Sequence, residues 1–160
     1  MAVTMEEVRA ELERDEPNYA RAAGLGPDAL PHVEELARGD DTMLATKAVY
    51  LAGLIQDDRA AKLLEEAAAA DDPRVRVAAA AAARHVEAER ASGVLAPLVA
   101  DGDPGVRKVA LKSVPPDATE ELRRAVEQVA EEEQADETTR RLSRRIIRAS
   151  AGTVFARTSA

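Results

Sequence analysis

Residues 71–87 read DDPRVRVAAAAAARHVE, and thirty-one residues further on the chain returns to the same order in GDPGVRKVALKSV, residues 102–114. Both copies carry an Asp-Pro step, a Val-Arg pair and an alanine-rich run. Moving upstream by the same interval places Asp41, Leu44, Ala48, Leu51 and Ile55 onto Asp72, Val75, Ala79, Ala82 and Val86. The apolar positions of each set are spaced i, i+4, i+7 and i+11, which is one stripe along an α-helix. A third copy begins at Asp103 with Val106 and Ala110. A fourth, shifted by 33, runs ETTRRLSRRIIRAS with Leu142 and Ile146. No segment alternates with period two, so strands are not expected.

A second helix signal precedes each of these stripes, in LPHVEELARG, AAKLLEEAAAA, GVLAPLVADG and TEELRRAVEQVAEEE. Each repeat is therefore a helical hairpin with a leading and a second helix. GLGP at 24–27, QDD at 56–58, Ser92-Gly93 and SVPPD at 113–117 supply the Gly, Pro and capping residues expected between helices. Asp71-Asp72-Pro73 and Asp103-Pro104 do the same inside the hairpins, with Pro suited to a first helical turn. At the N-terminus, Thr4 and Glu7 have capping-box spacing and open a helix to about Arg14, and Glu16-Pro17 opens a short one to about Ala23. The expected organisation is one all-α domain over 1–149. It has a capping hairpin at about 4–24, repeats at about 28–55, 58–88, 92–114 and 118–149, and a flexible tail at 150–160.

Composition agrees with many small, closely packed helices. The chain has 160 residues and 46% hydrophobic content, but 35 of its residues are alanine, beside two Tyr, one Phe and no Trp. Alanine buries little area, has the best helix propensity and lets helices approach closely. Cysteine is absent, which excludes disulfides, thiolate metal sites and a cysteine nucleophile. The opening MAVTMEEVRAELERDE turns acidic at Glu6 and holds no apolar core of a signal peptide, and no run of eighteen apolar residues occurs. The expectation is a soluble, cytoplasmic protein. Net charge is −8, yet residues 138–160 carry six arginines and no acid, leaving −14 on residues 1–137.

DDPRVRVAAAAAARH and LAPLVADGDPGVRKVALKSV resemble HEAT repeats, in particular the short bacterial type first associated with phycobilisome lyases. The likeness is clearest over 59–114. It thins over 28–55, where Thr42 stands for the Pro and Ala45 for the Arg. The resemblance implies a right-handed α-solenoid of stacked hairpins, with leading helices on the convex side and second helices lining a concave groove. It also implies that Asp72, Arg76, Asp103 and Arg107 tie neighbouring repeats together.

Chemistry-bearing patterns are sparse. His32-Val33-Glu34 and His85-Val86-Glu87 invite a metal reading, because a resemblance in the repeat alone connects the chain to the HEAT-like deoxyhypusine hydroxylases, whose iron site uses His-Glu pairs. The histidines lie 53 residues apart, out of phase with the repeat, and Val separates each His from its Glu. No metal or other cofactor is expected. The serines lack a G-x-S-x-G elbow, GLGPDALP lacks the Gly and Lys of a phosphate loop, and the acidic runs lie on leading helices as solvated faces. An enzyme is not expected.

The informative pattern lies two residues on from the buried stripe, about 200° around the helix. In register it reads Thr46, Val77, Lys108, Arg141; then Tyr50, Ala81, Lys112, Arg145; then Gly53, Arg84, Pro115, Arg148. This face grows more basic toward the C-terminus. Tyr50, Arg84, Lys108, Lys112, Arg141, Arg145 and Arg148 are the candidate partner-binding residues. The alternative for the cations is local satisfaction by Asp101, Asp103 and Asp136. The expected function is a non-enzymatic interaction module or scaffold that binds an acidic peptide or protein, with no membrane partner. Two rival classes are an accessory subunit or lyase-like enzyme acting on a chromophore or protein substrate, and a nucleic-acid-binding HEAT-like protein. The first rival conflicts with the scarcity of aromatics, and the second with the net charge and the lack of stacking residues.

Overall fold

A computed structural model describes the backbone of residues 2–158 and the side chains of residues 2–152. Its helices are α1 (Met5–Leu12), α2 (Tyr19–Ala23), α3 (Leu30–Ala37), α4 (Thr42–Leu54), α5 (Asp58–Ala68), α6 (Pro73–Ala82), α7 (Ala88–Leu98), α8 (Pro104–Ser113), α9 (Glu120–Glu131) and α10 (Glu137–Thr158). Short 3-10 turns lie at Pro27–Ala29 and Ala83–His85. No strand occurs among the described residues.

The helix starts follow from their capping side chains. Thr4 and Glu7 form the reciprocal capping box of α1. Asp41, Asp57, Asp72, Asp103 and Thr119 each accept a hydrogen bond from a first-turn amide of α4, α5, α6, α8 and α9. Pro73 and Pro104 occupy the first helical position, where the missing N–H has no intrahelical partner to lose. Each such cap contributes about 1 kcal/mol.

Consecutive helices pack as hairpins, and the hairpins stack in two layers. The odd-numbered helices α1 to α9 contact one another in order, and α2, α4, α6, α8 and α10 do likewise. The main contacts join helices one or two places apart, with α1 also reaching α4. Leu44, Ala48, Leu51 and Ile55 are buried, as are Val75, Ala79, Ala82, Val106, Ala110 and Leu142, so the helical phase read from the repeat is the phase of the core. Val86 and Ile146 are only half-buried. For Val86 the reason is the 3-10 turn at Ala83–His85, which takes it out of the α-helical stripe.

Four local expectations differ from the structure. Ser92-Gly93 is not a break, since α7 begins at Ala88 and both residues lie inside it. The buried Ser92 hydroxyl donates to Ala88 O at 2.7 Å and accepts from the Thr119 amide at 3.1 Å, so a contact to the next repeat holds it in the helix. Gly53 does not face solvent with its register mates. It is buried against α6, and a Cβ there would lie 2.6 Å from Ala82 O and 2.8 Å from Ala82 Cβ. At the N-terminus α1 stops at Leu12, and α2 starts at Tyr19 on an Asn18 cap. Finally, the stretch expected as a tail from residue 150 is helical as far as Thr158; no proline interrupts it, and Ser150 donates its hydroxyl to Ile146 O. Ser159 and Ala160 lie outside the described residues.

Two of the junctions between second helices are bridged by arginine. Arg76 donates through Nε and Nη2 to the Asp101 carboxylate at 2.8 and 3.0 Å, and through Nη1 to the carbonyls of Ala70 and Asp71 at 2.9 Å each. Thirty-one residues on, Arg107 repeats the arrangement, donating to Asp136 at 2.8 Å and to the carbonyls of Asp101 and Gly102 at 2.7 and 3.3 Å. The arginines therefore tie repeats as the resemblance implied, but not through Asp72 and Asp103, which cap their own helices. The acids are those of the following repeat. Burial pushes the Asp101 carboxyl up, but the hydrogen bonds from Arg76 and the Asp103 amide outweigh it and hold the group below the usual carboxylate range. Asp136 is held well below that range by the Thr139 hydroxyl, Arg107 and the Thr139 amide.

Candidate interaction face of the second helices

Helix phase sets the exposed face. With Leu44, Val75 and Val106 pointing inward, the positions two and six residues later point outward, and solvent exposure follows that order. Thr46, Tyr50, Val77 and Ala81 are half-buried, whereas Lys108, Lys112, Arg141 and Arg145 are exposed. The face therefore changes character along the stack, from small and aromatic on α4 and α6 to cationic on α8 and α10.

At its α4 end the chain gathers both of its tyrosines. Tyr19 of α2 meets Tyr50 edge-on at 4.8 Å, and Tyr50 meets His85 edge-on at 5.4 Å. Tyr50 Oη and His85 Nε2 are 2.9 Å apart, a hydrogen bond whose donor is set by the imidazole tautomer. Burial, with the neighbouring Tyr50, pushes the Tyr19 phenol up. Sequence reading placed Tyr50 on this face but not its partners, because Tyr19 lies outside the repeat and His85 lies in the 3-10 turn that leaves the helical stripe. Arg84, although exposed, donates through Nε to Ser113 Oγ at 3.1 Å and so bridges the 3-10 turn after α6 to α8. Its guanidinium is partly engaged in structure.

At the other end the cations are free. Every described arginine up to Arg140 has a carboxylate, carbonyl or hydroxyl partner, Arg140 itself donating to the carbonyls of Glu132 and Glu133. Arg141, Arg144, Arg145 and Arg148 have none among the described residues, and neither do Lys108 and Lys112. The three acids expected to neutralise them are engaged elsewhere: Asp101 by Arg76, Asp136 by Arg107, and Asp103 as the cap of α8, while Glu137, one turn before Arg141, forms no ion pair with it. The four arginines, spaced i, i+3, i+4 and i+7, line one open depression on α10 with Arg140 and Glu137. Lys108 and Lys112 stand on α8 and are not part of its wall.

Arg144 escaped the sequence reading, although a signal for it exists. In register it follows Val49, Ala80 and Leu111, all buried, and it alone of the four is exposed.

The histidines do not gather ligands. His32 Nε2 lies 2.9 Å from Val3 O and His85 is bound to Tyr50. Among the described residues no group of three or more His, Asp or Glu side chains is arranged to hold a metal ion, and no helix is long and apolar enough to cross a membrane. The geometry defines an all-helical stack of hairpins with a graded, open face. No protein-family model matches the chain, and no curated protein matches its sequence.

Proposed function

We propose that the chain is a HEAT-like, right-handed α-solenoid that works as a non-catalytic interaction module, and that the face of its second helices is a concave surface for an acidic peptide or protein. One observation carries this reading. Arginines elsewhere in the described residues are all partnered, whereas four on one face of α10 are not, at a cost in like-charge repulsion that an anionic partner would relieve. Lys108 and Lys112 extend the positive field toward α6.

The test is local charge reversal. Lys112→Glu, Arg141→Glu and Arg145→Glu together should abolish binding of a fluorescent polyglutamate peptide and leave the melting temperature nearly unchanged, since none of these side chains has a partner to lose. Lys62→Glu with Arg124→Glu, both exposed on the leading-helix layer, should change little. Screening makes the contrast local, because the Debye length is about 8 Å at physiological salt. Equal loss in both variants would mean attraction by net charge alone. Tighter binding of single-stranded DNA than of polyglutamate would favour a nucleic-acid partner.

A further inference from the structure

We infer, on the basis of that reading, that the face holds one extended segment at two points: carboxylates on the α10 arginines, and an apolar or aromatic side chain against Tyr50 at the α4 end. The two ends of the face offer different chemistry. Near Tyr50, Lys47 is not free, since it donates to the carbonyls of Leu12 and Arg14 at 2.9 and 3.3 Å, and Arg84 is partly held by Ser113. The Tyr50 ring is held by its T-shaped contact with Tyr19 and at its hydroxyl by His85, so a side chain packing on it orders little that is not already ordered. Between the ends, Val77 and Ala81 present small apolar side chains over which an extended backbone can pass.

Packing distances give the spacing of the two contacts. Neighbouring helices lie about 8–10 Å apart, so three steps from α4 to α10 span roughly 25–30 Å. A chain reaches at most about 3.5 Å per residue. The apolar side chain and the acidic block must therefore be separated by about eight residues or more.

Peptides carrying a block of glutamates and one phenylalanine, joined by Gly-Ser spacers of increasing length, test this by fluorescence anisotropy. Spacers shorter than about eight residues should leave affinity equal to that of the same peptide with Phe→Gly. Longer ones should tighten it about three- to tenfold, the range of one aromatic contact. Tyr50→Ala should erase that gain and retain the affinity of the glutamate block, whereas Tyr50→Phe should keep it. If Tyr50→Ala fails to fold, the spacer series and the Phe→Gly peptides decide alone. A gain independent of spacer length, or no gain at any length, overturns the two-point contact while the acidic reading stands. Failure of the glutamate block itself to bind overturns both.

Discussion

The junction between α4 and α6 and the junction between α6 and α8 are built from the same repeat and held by different means. At α6/α8, Arg76 reaches across to Asp101. At α4/α6 the register partners of that pair are Ala45 and Ala70, so arginine and acid are lost together and no buried charge is stranded. Close approach takes the place of the ion pair, with Gly53 letting the α4 backbone come against Ala82, beside the Tyr50–His85 hydrogen bond at the turn that ends α6. A repeat can thus be joined by polar ties that fix register, or by small residues that maximise contact. The difference shows that the Arg-Asp pair is one solution to stacking and not a requirement of it.

The sharpest way to break this comparison is Gly53→Val. A side chain there must displace the Ala82 backbone, and a loss of about 3 kcal/mol is expected by urea unfolding. An unchanged midpoint would show that the helices are not in close contact.

Arg76→Ala comes next. It leaves Asp101, whose side chain is 10% exposed, without its main partner, and should cost about 2 kcal/mol. Arg76→Ala with Asp101→Ala imitates the α4/α6 junction and should recover part of that loss in a double-mutant cycle. The pair also sets an acid response. Folded Asp101 and Asp136 are held below their unfolded value of about 3.9, so their contribution is fully present above it and is lost as pH falls through the depressed folded values. The double variant should therefore lose less stability than the parent as pH falls below about 4.

The smallest effect is a gain. Ser143 stands in register with Ala48, Ala79 and Ala110, is fully buried, and its hydroxyl has no hydrogen-bond partner among the described residues. Ser143→Ala should stabilise by about 0.5–1 kcal/mol, and a loss would indicate an unseen partner for that hydroxyl.

Much of this was readable from residue spacing, because the inward stripe depends only on helical period and on the repeat. Leu51 and Val106 sit where the period places them. What resisted reading depended on contacts between repeats. Ser92 looked like a helix breaker because its partner, the Thr119 amide, lies in another hairpin. Asp72 was expected to tie repeats together with Arg76, because the repeat does not reveal that Asp72 is already engaged at the start of its own helix by the Arg74 amide and guanidinium. The cations on α8 and α10 were legible as a column. Their freedom was not, since it rests on where Asp101, Asp103 and Asp136 turn.

Arg144 bears on how such a stack can be lengthened. A hairpin docked on α10 as the others dock would cover the position that Val49, Ala80 and Leu111 fill beneath their neighbours, and would have to strip water from a guanidinium that has no ion-pair partner among the described residues. Copying the last unit onto its own end is thus disfavoured. Additional units, whether arising by duplication or by design, fit more readily as insertions between Ser113 and Thr119, where they would meet surfaces like those already paired within the stack.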